Sequence, residues 1–244
     1  MRVHSPRQFV AGFIAGLAVT MGLGIKPASA MPGDLFVSSR DNSSVMEYNG
    51  TTGAFITTFV PSGSGGLNGP LGLVFGPNGN LFVSSYFNFS VPEYNGTTGA
   101  PMGYFVPPGS GGLSYPIDLT FGPNGNLFVI DHVNNSVMEY NGTTGAFLTT
   151  FVPSGSGGLN GPHGLVFGPN GNLFVSSQGN NSVMEYNGTT GAFLTTFVPP
   201  GSGGLNYPTY LTFSPVPSVP EPASVLLLGS GLAGLVAWRR WKPV

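Results

Sequence analysis

Apolar and polar residues alternate along the chain in short bursts that recur at a fixed interval. LFVSS or LFVID begins at Leu35, Leu81, Leu127 and Leu173, and EYNGTTG begins at Glu47, Glu93, Glu139 and Glu185, each step being 46 residues. In one unit, GLVF from Gly164 to Phe167 predicts a short apolar strand, and Pro169-Asn170-Gly171 a tight turn. LFVSS from Leu173 predicts a second strand, SVMEYN from Ser182 a third with period-two alternation, and AFLTTFV from Ala192 a fourth. Asn187-Gly188 between the last two predicts a hairpin, because such a turn needs the positive φ that Asn and Gly tolerate. Prolines keep to the connections, apart from Pro92 and Pro101 in the second unit, where an outer strand accepts them best.

A period of this length with four strands per unit predicts the blades of a β-propeller rather than helical repeats. The body opens on a second-type strand at Asp34 and closes on a lone first-type strand, Tyr210-Leu211-Thr212-Phe213. That last strand is expected to complete the first blade, closing a ring of four blades and sixteen strands with no unpaired edge. The alternative is a larger ring made by two chains. The expected fold class is therefore all-β, a propeller of four 46-residue, four-stranded blades closed by the C-terminal strand.

Composition agrees with a turn-dense β architecture. The 244 residues include 40 Gly and 23 Pro, yet 41% are hydrophobic and 12% aromatic, which a disordered polar chain would lack. Cysteine is absent, so neither a disulfide framework nor thiolate chemistry is available. Between Met31 and Pro215 one cation, Arg40, faces eight carboxylates, a net charge of −7. Nucleic acid is excluded as a partner, since its phosphates demand a basic stripe.

The two ends differ from the body. Residues 1–30 have a basic start, an apolar stretch from Phe9 to Ile25 and the ending Ala28-Ser29-Ala30, the layout of a secretory signal peptide; an uncleaved N-terminal anchor is the alternative. At the other end, 16 uncharged residues from Ala223 to Trp238 precede Arg239, Arg240 and Lys242. As a helix they reach roughly 24 Å, a short transmembrane span with Trp238 and Trp241 at the interface. Three segments result: signal peptide 1–30, repeat propeller 31–217 and C-terminal segment 218–244.

Val219-Pro220-Glu221-Pro222, the apolar span and Arg239-Arg240 together resemble the PEP-CTERM sorting signal. That signal is found on exported proteins of Gram-negative bacteria that make extracellular polysaccharide. The resemblance implies Pro220, Glu221, Pro222, Arg239 and Arg240 as the sorting motif and an exosortase-like enzyme as processing partner. It also implies a body anchored in the inner membrane before processing and at the cell surface or outside afterwards. The unit GPHGLVFGPNGNLFVSSQGNNSVMEYN resembles the NHL, gluconolactonase and streptogramin-lyase type of propeller repeat, which implies the fold well and any one activity poorly.

Comparing the units with one another separates two faces. The GPNG and NGTTG turns barely vary, whereas Arg40, Tyr86-Phe87, His132 and Gln178 occupy equivalent loops on the opposite face. On that face too, Ile117-Asp118, His163-Gly164 and Thr209-Tyr210 begin first-type strands. Arg40, Tyr86, Phe87, Asp118, His132, His163, Gln178 and Tyr210 are thus the candidate ligand-binding residues. The streptogramin-lyase resemblance implies testing His163, His132, Asp118 and Asp131 for metal-assisted acid–base chemistry, but one carboxylate and one imidazole on the inner strands are too few to assign catalysis. The four repeated glutamates read as a solvated strand face, and Asn49-Gly50-Thr51 as turn chemistry rather than a glycosylation site.

Phosphate-binding, nucleophile-elbow and zinc-spacing motifs are absent, so no cofactor or metal is expected. The sequence therefore points to a non-catalytic binding or matrix-interaction module with extracellular polysaccharide as a partner. A metal-assisted lyase or lactonase and a purely structural repeat protein are the alternatives.

Overall fold

A computed structural model describes residues 33–214. The signal peptide, the C-terminal span and the sorting residues Pro220, Glu221, Pro222, Arg239 and Arg240 lie outside the described residues. Among those described, no helix is long and apolar enough to cross a membrane.

Among the described residues fifteen strands form four antiparallel sheets placed at the repeat interval. The first sheet holds β1 (Leu35–Ser39), β2 (Ser44–Tyr48) and β3 (Phe55–Val60), and the second holds β4 (Pro70–Phe75), β5 (Leu81–Ser85), β6 (Val91–Tyr94) and β7 (Pro101–Val106). The third holds β8 (Pro116–Phe121), β9 (Leu127–Asp131), β10 (Ser136–Tyr140) and β11 (Phe147–Val152). The fourth holds β12 (Pro162–Phe167), β13 (Leu173–Ser177), β14 (Ser182–Tyr186) and β15 (Phe193–Val198). Within each sheet the strands pair in chain order, so each sheet is a meander. This is the expected propeller of four blades.

Period-two alternation puts the two halves of each LFV strand to opposite uses. In β5, β9 and β13 both faces of the strand are buried, since β5 and β9 lie between two neighbouring blades and β13 between blade three and the segment of residues 209–213. The phenylalanine of each such strand meets two more at ring-centroid distances of 4.8 to 5.1 Å: Phe82 with Phe105 and Phe121, and Phe128 with Phe151 and Phe167. In each trio the third ring belongs to the next blade, so the aromatic core is also the joint between blades. Edge-to-face pairs of this kind add about 0.5–1.5 kcal/mol each beyond area burial.

The expected closing strand behaves differently. Residues 210–213 form no strand, and β1 is the free edge of a three-stranded sheet. The segment instead stays on blade four: Ser176 Oγ donates to the Thr209 carbonyl at 2.5 Å, and Phe213 stacks edge-on against Phe174 at 4.9 Å. Ser38 and Ser84 make the same bond to the next inner strand, at Leu71 and Ile117. The last segment thus occupies the place of a fifth blade's inner strand, but without a second strand beside it there is no ladder to join.

The hairpin glycines also act differently from the expectation. Positive φ falls on Gly53, Gly99, Gly145 and Gly191, the last residue of each NGTTG, and not on the Asn-Gly pair. The asparagine instead caps the loop: Asn187 Oδ1 accepts from the Thr189 and Thr190 amides at 3.0 and 2.9 Å. Gly188 is needed for space, since an added Cβ would lie 1.8 Å from the Gly171 carbonyl oxygen of the neighbouring turn.

Candidate functional site

The loop face is built by bonding each loop between the second and third strands to the connection that enters the blade. The Tyr86 and Phe87 amides donate to the Gly69 and Asn68 carbonyls, and the Gln178 and Gly179 amides repeat this with Gly161 and Asn160. Each of these loops ends on a left-handed residue: Ser43, Phe89, Asn135 and Asn181, with φ between 48 and 55°. Asn and Ser tolerate that region, whereas a phenylalanine is forced into it at a cost of about 1–2 kcal/mol. Tyr115 is also left-handed, at φ 50°, where the second and fourth blades place Gly69 and Gly161.

These two strained aromatics touch. Phe89 and Tyr115 lie 4.7 Å apart, Tyr115 meets Tyr86 at 4.8 Å, and Tyr86 meets Phe87 at 5.0 Å. The Arg40 guanidinium sits 5.3 Å from the Phe87 ring and 5.6 Å from that of Tyr86. Phe87 is 47% exposed and the other three rings are half-buried, so the result is an open aromatic ledge beside one cation. Arg40 also faces Asp41 at 3.8 Å, an exposed pair of little energetic weight. Sequence reading named Arg40, Tyr86 and Phe87 but missed Phe89 and Tyr115. Phe89 was signalled by a bulky ring at a repeat position otherwise held by Ser or Asn, whereas Tyr115 shares its position with Gly69, Gly161 and the equally left-handed Tyr207.

Asp118, His132, His163 and Tyr210 form a second group near the inner strands. Asp118 ties two blades together, accepting from its own blade's Leu119 amide at 3.0 Å and from the Leu165 amide of the next at 3.1 Å. It stands in for the serine tie of the other blades, because the third blade carries Ile130 at the corresponding position. Burial pushes its carboxyl up to about 6 despite those two bonds. His132 Nδ1 bonds the Pro162 carbonyl at 2.9 Å and so carries its proton there.

The His163 ring lies 6.3 Å from that of His132 and 5.2 Å from that of Tyr210, and its buried Nδ1 has no hydrogen-bond partner. Burial, with His132 nearby, holds the His163 imidazole below its ordinary range. Burial and the Asp118 charge push the Tyr210 phenol up.

This group does not suit a divalent cation. Both Asp118 oxygens already accept amide protons, and among the described residues no three His, Asp or Glu side chains converge as ligands. Asp131 is consumed as well, accepting from the Ser114 and Asn134 amides. Gln178 is buried at the fourth blade.

The opposite face is a lattice of ties. Glu93, Glu139 and Glu185 each accept from two turn asparagines at 2.7 to 3.0 Å, for example Asn124 and Asn126 to Glu139. The repeated glutamates therefore hold turns to strands, where sequence reading expected a solvated face. A cleft of 550 Å³ lies on this side among Asn124, Asn170, Asn172 and Thr189, and one of 340 Å³ lies between the outer strands of blades one and two.

Comparison with known proteins gives two kinds of likeness. Residues 218–240 match the PEP-CTERM protein-sorting motif, which is the recognition signal for exosortase processing and implies export with C-terminal membrane anchoring beforehand. No curated protein matches the chain by sequence. By structure the chain is similar to a catalytically inactive virginiamycin B lyase from Staphylococcus aureus with quinupristin, at TM-score 0.57 and 17% identity over 76% of this chain and 57% of that one. A streptogramin B lyase structure follows, at TM-score 0.54 and 20% identity over 75% and 56%. A nidogen/laminin complex is similar at TM-score 0.51 and 19% identity over 68% and 60%. The chain spans a little over half the length of these proteins, and the likeness is one of fold: a streptogramin-lyase and NHL type of propeller.

Proposed function

We propose that the chain is an exported, exosortase-sorted propeller that acts at the cell surface as a non-catalytic binding module for extracellular-matrix polysaccharide. The observation that carries this reading is the aromatic ledge, where the backbone accepts left-handed strain at Phe89 and Tyr115 to bring four rings together on the variable face. Strain held at a solvent-facing cluster is characteristic of ligand clamps. Exposed rings suit the apolar faces of sugars, and Arg40 and Tyr hydroxyls supply hydrogen bonds. A body of net charge −7 with one cation favours a neutral glycan over an acidic one.

A second reading, a lyase or lactonase, is favoured by the His132–His163 pair and by the lyases among the structural neighbours. The two readings separate in a glycan-array screen run beside turnover assays on the wild-type chain, Tyr86→Ala and His163→Ala. The binding reading expects glycan signals that Tyr86→Ala loses and His163→Ala keeps. Turnover that His163→Ala abolishes and Tyr86→Ala leaves intact would replace it.

A further inference from the structure

Among the described residues the four blades leave two uncovered faces, and each has what the other needs. At the three internal joints, Leu81, Leu127 and Leu173 and then Val83, Val129 and Val175 are fully buried by the preceding blade, whereas Leu35 and Val37 of β1 are 54% and 40% exposed. At the other end, Phe59, Phe105 and Phe151 are buried by the following blade, whereas their counterpart Phe197 is 51% exposed.

The polar part of the joint is also left half-made. The Tyr94, Tyr140 and Tyr186 hydroxyls each donate to the serine carbonyl of the preceding SGG turn, at Ser64, Ser110 and Ser156, over 2.8 to 2.9 Å. A fourth such turn, Ser202–Gly204, follows β15 with no blade after it among the described residues, and Tyr48 in β2 is the fourth tyrosine of the series. The Phe147 and Phe193 rings lie over Gly111 and Gly157, while the matching Gly203 faces open space and the matching Phe55 is 58% exposed.

We infer that a second copy of this chain covers these faces, the fourth blade and residues 202–213 of one copy docking on the first blade of the other, twice over, to close an eight-blade ring. The second copy is favoured over the chain's own tail by the turn that the internal joints impose. At that turn the four blades lie along 57% of the lyase chain they superpose on, so the remaining 43% is far more than this chain's own last segment can fill, and a second copy fits with a slightly smaller turn at each joint. The interface would repeat the joint already present three times, and a cyclic pair leaves no edge for further growth. Covering the free β1 edge also places a strand where a three-stranded sheet now ends.

Inside the blades Leu73 pairs with Val83, Leu119 with Val129 and Leu165 with Val175, so Leu211 of one copy should pair with Val37 of the other. The chain has no cysteine, which makes an introduced pair unambiguous. Full-length Val37→Cys and Leu211→Cys chains carrying different tags are mixed in mild detergent and oxidised. The expected result is a covalent species of twice the chain mass containing both tags, formed by neither variant alone, with the wild-type chain sedimenting as a pair.

A Val37→Cys/Leu211→Cys double variant that bridges within one chain overturns the inference in favour of a closed four-blade ring. A ladder of higher masses overturns the closed pair. If circular dichroism shows that either variant has not folded, the wild-type sedimentation decides: two chains support the inference and one chain overturns it.

Discussion

Replacing Asp118 by Asn should change how the stability of the propeller depends on pH. Asp118 lies between the inner strands of blades three and four, where burial outweighs the two amide bonds and pushes its carboxyl from 3.8 up to about 6. The folded protein therefore holds this proton more tightly than the unfolded chain. The stability this contributes is fully present below about pH 4 and is lost as pH rises through about 6. Such a displacement corresponds to at most about 3 kcal/mol, and solvent reaching the inner strands reduces it to about 1–3 kcal/mol.

Asn cannot ionise, and it also gives up one of the two acceptors, an offset of about 1 kcal/mol that does not vary with pH. Asp131 and Glu47, raised by burial, and His163, lowered by it, titrate in both proteins and cancel in the difference. Urea unfolding of wild type and Asp118→Asn at closely spaced pH values measures that difference directly. The variant should gain about 1–3 kcal/mol relative to wild type as pH rises from about 4 to about 6, with a midpoint near 5 and a plateau above about 6. A difference that stays flat across this range would show that Asp118 ionises as an ordinary solvated carboxylate and would refute the burial argument.

Three further outcomes are expected. Gly145→Ala should destabilise by more than about 3 kcal/mol, because the new Cβ would lie 1.8 Å from the Phe105 carbonyl oxygen at a φ of +68°, whereas Gly155→Ala, at φ +73° in open space, should cost about 1 kcal/mol; thermal unfolding ranks the two. Glu139→Ala should cost about 1–3 kcal/mol by releasing Asn124 and Asn126, with Glu139→Gln recovering part of it through its remaining oxygen, as denaturant curves can establish. Deleting residues 219–244 should release the body from the membrane fraction, and a truncated chain that still pellets in carbonate and high salt would contradict the sorting-tail reading.

The repeat and its four strands were legible because a buried strand is written in the sequence as alternation, and the turns as Gly and Asn. Why the turns are so constant was not legible. Gly188 is fixed by a carbonyl from another turn and Glu139 by two asparagines from another loop, contacts visible only once the strands are laid side by side. Asp118 read as a candidate ligand group because its substitution for the tie missing at Ile130 spans two blades.

Closure was misjudged for a similar reason. Tyr210 to Phe213 has the composition of an inner strand, but whether it meets β1 depends on the angle between blades, which accumulates over side-chain packing at three joints. Of the ledge, Tyr86 and Phe87 were legible as loop variation, whereas Phe89 and Tyr115 gain their meaning from backbone conformation.

The measurement that bears most directly on the proposed function is calorimetric titration of the full chain with a neutral hexose oligosaccharide chosen from the array screen. It would be run at low and physiological salt, with and without a chelator, on wild type and Tyr86→Ala. Ring stacking and neutral hydrogen bonds predict an affinity that changes less than about twofold with salt and not at all with the chelator, and that Tyr86→Ala lowers at least about tenfold. Binding that disappears with the chelator and survives in Tyr86→Ala would contradict the account and return the function to the histidine group.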